Sequence, residues 1–200
     1  MENIKKERGF TLIELLVVIA ILAVLATAVV LVLNPDELIK QGRDSTRISD
    51  LAALNSALAL WVADVRNQSG TGYWPTSATY RCTYNTTSPN GGTCTQSSST
   101  AVDDTGWVPL NFNLISSGSP LSKLPLDPNN GGSCRLTGAS TTPCQYAFAA
   151  STTVGVYEID AAMESVKYSN GGSADIVSTD NGSGTNSQYW YEVGSNLSLF

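Results

Sequence analysis

From residue 10 to residue 33 the chain reads FTLIELLVVIAILAVLATAVVLVL, apolar on every side of a helix, with Glu14 its sole charged position. A helix of that length is roughly 36 Å long, against a hydrocarbon core about 30 Å thick, so the segment can span a membrane with some tilt. An ordinary secretory signal has a shorter apolar region followed by a polar stretch before its cleavage site. Ala26-Thr27-Ala28 has the A-x-A spelling but lies inside the apolar run, and reads as chance. From Ile48 the pattern changes: Ile48, Leu51, Leu54, Leu58, Trp61, Val62 and Val65 recur at steps that are mostly three or four, the stripe of an amphipathic helix. Asn34-Pro35-Asp36-Glu37 separates the two helical patterns. Pro35 has no N–H to donate, so the helix kinks there or a second helix begins with Asn34 as its cap.

Past Asn67 the composition shifts to Ser, Thr, Gly, Asn and Tyr. Residues 76–105 have almost no periodicity and read as loop. Two prolines and Asp127 make residues 124–128 a turn, with the Asp127 side chain free to accept backbone N–H groups. Three strands follow, at residues 145–150, 154–164 and 189–193. In the middle one Tyr157, Ile159, Ala161 and Met163 share one face, and Glu158, Asp160 and Glu164 the other. The predicted fold class is α+β: one long N-terminal helix, membrane-spanning and then amphipathic, packed on a small antiparallel sheet. The domain order is a leader at 1–9, the apolar helix at 10–33, the amphipathic helix at 34–66 and a head at 67–200.

Charge narrows the function classes. Eleven Lys and Arg stand against 17 Asp and Glu, a net −6, and there is no histidine. Imidazole-based catalysis and metal sites are thereby excluded, and a chain with so few, scattered cations makes a poor nucleic-acid binder. Lys5, Lys6 and Arg8 before the span are matched by Lys40, Arg43 and Arg47 after it, so cation counting alone does not orient the helix. The four cysteines, all beyond residue 80, suit an oxidising compartment and put the head outside and the amino terminus in the cytoplasm. Asp44, Arg47 and Asp50, spaced by three, read as a charge ladder on a solvated helix face, with lateral subunit contact as the lesser alternative.

Glu14 is the most informative position. Alone in an apolar segment, its carboxylate either reaches water at the membrane edge or has a cationic partner. Cleavage between Gly9 and Phe10 would supply one, because the new α-amine and Glu14 would be the remaining charges in the slab. Gly9-Phe10-Thr11-Leu12-Ile13-Glu14 resembles the class III signal of type IV pilins and of the pseudopilins of type II secretion, and Tyr73-Trp74-Pro75, Arg43-Asp44-x-x-Arg47-x-x-Asp50-Leu51 and Leu124-Pro125-Leu126-Asp127-Pro128 extend the likeness into the head, most of all toward the major pseudopilin. The resemblance implies cleavage after Gly9 by a membrane prepilin peptidase, methylation of the Phe10 amine, and pairing of Glu14 with that amine on an adjacent subunit. It also implies a proline kink in the stem, which Pro35 would supply. The implied protein is a structural subunit of a type IV pilus-like or pseudopilus filament, and not an enzyme. Its partners would be its own copies, the peptidase-methyltransferase, an inner-membrane assembly platform and lipid, with no nucleic acid. It would lie single-pass in the inner membrane until assembled into a fibre in the periplasm or on the cell surface.

The alternative is a minor tip subunit or adhesin, with Tyr80, Tyr84 and Trp107 as stacking surfaces. An enzyme would need convergent groups, and the adjacent Asp103-Asp104 on a loop do not supply them.

Four cysteines allow three pairings. The local set, Cys82–Cys94 and Cys134–Cys144, is favoured because each closes a Gly/Ser/Thr-rich loop with little core of its own. With no C-x-x-C spacing, zinc and redox chemistry are poor readings. The resemblance adds calcium as a candidate ligand of Asp175 and Asp180, against the plainer reading of that segment as a solvated loop, since its spacing does not match an EF-hand. The Asn-x-Ser/Thr triplets at Asn67, Asn85, Asn181 and Asn196 are expected by chance in so hydroxyl-rich a chain.

Overall fold

A computed structural model describes residues 9–65, 73–89, 92–135, 141–177 and 189–200. The chain divides into two units, Met1–Leu38 and Ile39–Phe200. In the first, helix α1 runs over Leu12–Leu33. Its described apolar side chains are exposed, and over Leu12–Val30 it is long and apolar enough to cross a membrane. Thr27 returns its hydroxyl to the Ala23 carbonyl at 2.9 Å, so this polar side chain in the span makes its bond within the helix. The helix stops at Asn34, which takes the left-handed conformation (φ 42°, ψ 73°) that asparagine tolerates better than most residues. Helix α2 then begins at Pro35, where a missing N–H costs nothing, and extends to Val65. Of the two readings of Asn34-Pro35, two successive helices is therefore the one observed.

The second unit holds a five-stranded sheet and a small hairpin. In chain order the strands are β1 (Thr79–Cys82), β2 (Thr95–Gln96), β3 (Ser133–Arg135), β4 (Thr141–Pro143), β5 (Tyr146–Ala150), β6 (Tyr157–Ala162) and β7 (Trp190–Gly194). The large sheet has the order β2-β1-β5-β6-β7, antiparallel except for the β1–β2 pair, while β3 and β4 form the hairpin. Residues 76–105 are thus not all loop. The polar T-Y-R-C of β1 has no periodic signature, and it becomes a strand because β5 offers it a full antiparallel partner.

The alternation in β6 sets the core. Tyr157, Ile159 and Ala161 join Phe148 of β5 and the α2 stripe of Leu51, Leu54, Leu58, Trp61 and Val65 in one cluster. So α2 packs on the sheet, although by length and composition it too could cross a membrane. Trp61, Trp74 and Tyr157 are in ring contact at the end of this cluster, with centroids 5.9 and 6.2 Å apart. The opposite face of the sheet is covered as well. Glu158 and Asp160 are buried, and Ala162 and Trp190 pack under the disulfide of the β3–β4 hairpin. Cys82 is bonded to Cys94, and Cys134 to Cys144.

Candidate functional site

The amino-terminal segment is built around Thr11. Thr11 is extended (φ −81°, ψ 154°) and caps α1, so the Gly9–Phe10 bond lies outside the helix. Both flanking residues are exposed, and apart from the neighbours of Gly9 in the chain no atom of the described residues lies within 4 Å of where a Gly9 side chain would be. Glu14 is the third helical residue and closes a capping box. Thr11 donates its backbone N–H and its hydroxyl to Glu14 Oε2, each at 2.8 Å, and Glu14 donates its own N–H to Thr11 Oγ1 at 3.3 Å. The carboxylate thus satisfies the orphan N–H of the cap residue and is held there by two hydrogen bonds. Glu14 Oε1 accepts no hydrogen bond from the described residues.

The charge ladder on α2 is not a solvated face. Asp44 and Arg47 are fully buried, because this side of α2 meets the 124–128 turn and the end of β6. Arg47 donates from Nε and Nη2 to the two oxygens of Asp127, both at 2.7 Å, and from Nη1 to Asp44 Oδ1 at 2.7 Å and Glu164 Oε2 at 3.0 Å. Asp44 accepts the backbone N–H groups of Glu164 and Ser165 at 2.9 and 2.8 Å. Arg43 donates to both oxygens of Glu164, at 2.5 and 3.1 Å. Burial alone would raise the Glu164 carboxyl, but Arg43, Arg47 and Asn129 outweigh it and hold it below the usual carboxylate range. Burial likewise disfavours the Arg47 cation, yet its three acids raise its pKa. Asp50 faces Tyr146, whose hydroxyl donates to Oδ2 at 2.8 Å; burial raises this carboxyl despite that bond. Residues 44 to 50 therefore clamp the helix to the head from inside. Spacing alone could not show this, since Asp127 and Glu164 stand 80 and 117 residues from Arg47.

The other sequence candidates separate. Trp107 is buried and donates its indole N–H to the Pro125 carbonyl at 2.9 Å, so it is no stacking surface. Tyr80 and Tyr84 are exposed, at 37% and 45%. Asp103 caps a turn through Thr105, which holds its carboxyl low, and Asp104 has a positive φ of 78°. Asp175 accepts backbone N–H groups from Gly171 on Oδ2 at 2.8 Å and from Val177 on Oδ1 at 3.1 Å. Asp180 lies outside the described residues. Among the described residues, two groups bring metal-ligand atoms within 4.8 Å of one another: Glu158, Asp160 and Glu192 on the sheet, and Cys134, Cys144 and Glu164. In the second the sulfurs are tied in a disulfide, which leaves no thiolate to ligate.

Residues 4–30 match the family described as the prokaryotic N-terminal methylation motif. Neither a curated protein nor a solved structure matches the chain. At residues 4–30 the chain therefore carries the class III methylation signal of the type IV pilins and pseudopilins, and behind it stands an α+β, pilin-like fold.

Proposed function

We propose that this protein is a structural subunit of a type IV pilus-like or type II secretion pseudopilus filament. A prepilin peptidase cuts it between Gly9 and Phe10, the Phe10 amine is methylated, and copies polymerise through α1. The observation that carries this reading is the amino-terminal geometry. The Gly9–Phe10 bond stands clear of the helix, and one acid sits a turn inside an otherwise apolar rod. Cutting that bond leaves a cation at the positive end of the helix dipole, where it is unfavourable until it meets an anion. Glu14 Oε2 is engaged by Thr11, and Oε1 is available to the Phe10 amine of a neighbouring copy. Repeated from copy to copy, that pair fixes an axial step, while the exposed apolar surface of α1 supplies the cohesion. Before assembly the same surface sits in lipid, with the amino terminus cytoplasmic and the disulfide-bonded head outside. The working partners are the peptidase-methyltransferase and an inner-membrane assembly platform.

Glu14→Ala tests the mechanism. Mass spectrometry should find the variant still cleaved and methylated at Phe10, while electron microscopy should show filaments lost or strongly reduced. Wild-type fibres from that variant would refute the pairing, and a mature protein still carrying residues 1–9 would refute the filament reading itself.

A further inference from the structure

On the outer side of β1 lies a cavity of about 190 Å³ lined by Tyr80, Ser88, Gly92, Thr93, Leu199 and Phe200. Its walls are fixed from several directions. Tyr80 and Phe200 meet with ring centroids 5.7 Å apart and planes tilted by 54°, making an aromatic corner. Phe200 also packs on the Cys82–Cys94 disulfide and Ala147. Glu158 Oε2 holds this end of the chain by accepting the backbone N–H groups of Leu199 at 2.6 Å and Phe200 at 3.4 Å. On the other side Ser88 donates its N–H to the Gly92 carbonyl at 2.9 Å, and Thr87 bridges Thr93. A side chain at Gly92 would begin 3.1 Å from Ser88 Oγ, so glycine keeps the approach open.

The lining selects the ligand. None of the described lining residues carries a charged side chain, so a phosphate or carboxylate would be desolvated there without a counter-charge. An acyl chain would use only the apolar part of this lining and make no hydrogen bond to the hydroxyls of Ser88, Thr93 and Tyr80. A neutral ring with one apolar face and a hydroxylated edge satisfies both halves. Its C–H face lies on the electron-rich face of an aromatic ring, and its edge exchanges hydrogen bonds with hydroxyls that both donate and accept. The volume falls below the about 300–1,000 Å³ of sites for drug-sized ligands, which limits the occupant to a single ring. We propose that this corner is a binding subsite for one neutral pyranose, either a free sugar or the terminal residue of a glycan. The assignment belongs to the head and does not depend on the filament reading.

The test uses the full chain in a zwitterionic, sugar-free detergent, with saturation-transfer NMR against glucose, galactose, mannose and N-acetylglucosamine. At least one of these should bind, and glucuronate at least tenfold more weakly. Tyr80→Ala should weaken binding about tenfold and Thr93→Val severalfold, whereas Tyr84→Ala, at an exposed tyrosine outside the cavity, should bind like the parent. Thr93→Val preserves shape and keeps the test decisive if Tyr80→Ala disturbs the fold. An oligosaccharide ending in the bound sugar distinguishes the sources: affinity above that of the free sugar and still sensitive to Tyr80→Ala assigns the site to glycan ends, and equal affinity to the ring alone. Saturation transfer to none of the four sugars, or binding indifferent to both Tyr80→Ala and Thr93→Val, would overturn the proposal.

Discussion

Replacing Arg47 by alanine should be among the most damaging single changes in the head. The guanidinium is fully buried and donates four hydrogen bonds to three carboxylates. Its removal is not felt equally by them. Asp44 keeps two backbone N–H donors, and Glu164 keeps Arg43 and Asn129. Asp127 loses both bonds of its bidentate pair and keeps the Asn129 N–H. Removing one partner of a buried ion pair costs about 3–5 kcal/mol, chiefly because the other charge is left uncompensated. At about 2–4 °C per kcal/mol for a protein of this size, Tm should fall by roughly 6–20 °C. Near-ultraviolet circular dichroism of the micellar protein reads this directly, because Trp61, Trp74, Trp107 and Trp190 are all buried. The acid side adds a second check. Glu164 is held below its ordinary pKa of 4.5, so its contribution is complete above that value and is lost as pH falls through the lowered one. Without Arg47 the depression is smaller and there is less to lose, so the parent and variant stability curves should converge on acidification. A loss under about 1 kcal/mol at neutral pH, the worth of a surface pair, would refute the clamp.

Asp50→Asn should behave oppositely. Burial raises this carboxyl from 3.8, so folding favours its neutral form and the stability it contributes at low pH is lost as pH rises through the raised value. An amide oxygen can still accept the Tyr146 hydroxyl, so the variant should melt at or slightly above the parent temperature at pH 7; a drop beyond about 2 kcal/mol would show that the charge itself is needed. Removing the Cys82–Cys94 pair as a double serine variant should cost about 3 kcal/mol in denaturant titration, as should removing Cys134–Cys144, because each closes a short loop, with partners 12 and 10 residues apart. An unchanged midpoint would argue that the loops stay closed by packing alone. Gly106→Ala should lower Tm, since the added carbon would lie 2.1 Å from the Ala101 carbonyl oxygen and 2.5 Å from Leu124 Cδ1, and backbone would have to move to admit it.

The amino-terminal unit was legible in the sequence because its chemistry is local. Apolarity on every side of a helix and one acid a turn past Phe10 are fixed by neighbours within a few residues, and the capping box of Thr11 and Glu14 is an i,i+3 relation. The same holds for the faces of β6, where alternation by two separates Ile159 from Asp160 whatever covers each side. The α+β class follows from those patterns. What only the tertiary structure decided is which polar residues stop being surface. Asp44 and Arg47 carry the spacing of a solvated ladder, and nothing near them in the chain reveals that Asp127 and Glu164 arrive from the far half to enclose them. Trp107 sits in a loop with no periodicity and is buried because the 124–128 turn closes over it. Strand β1 exists because β5 pairs with it. Each outcome depends on groups brought together from tens of residues apart. Burial is a property of the assembled packing, whereas helix capping and side-chain periodicity are properties of the backbone's own geometry.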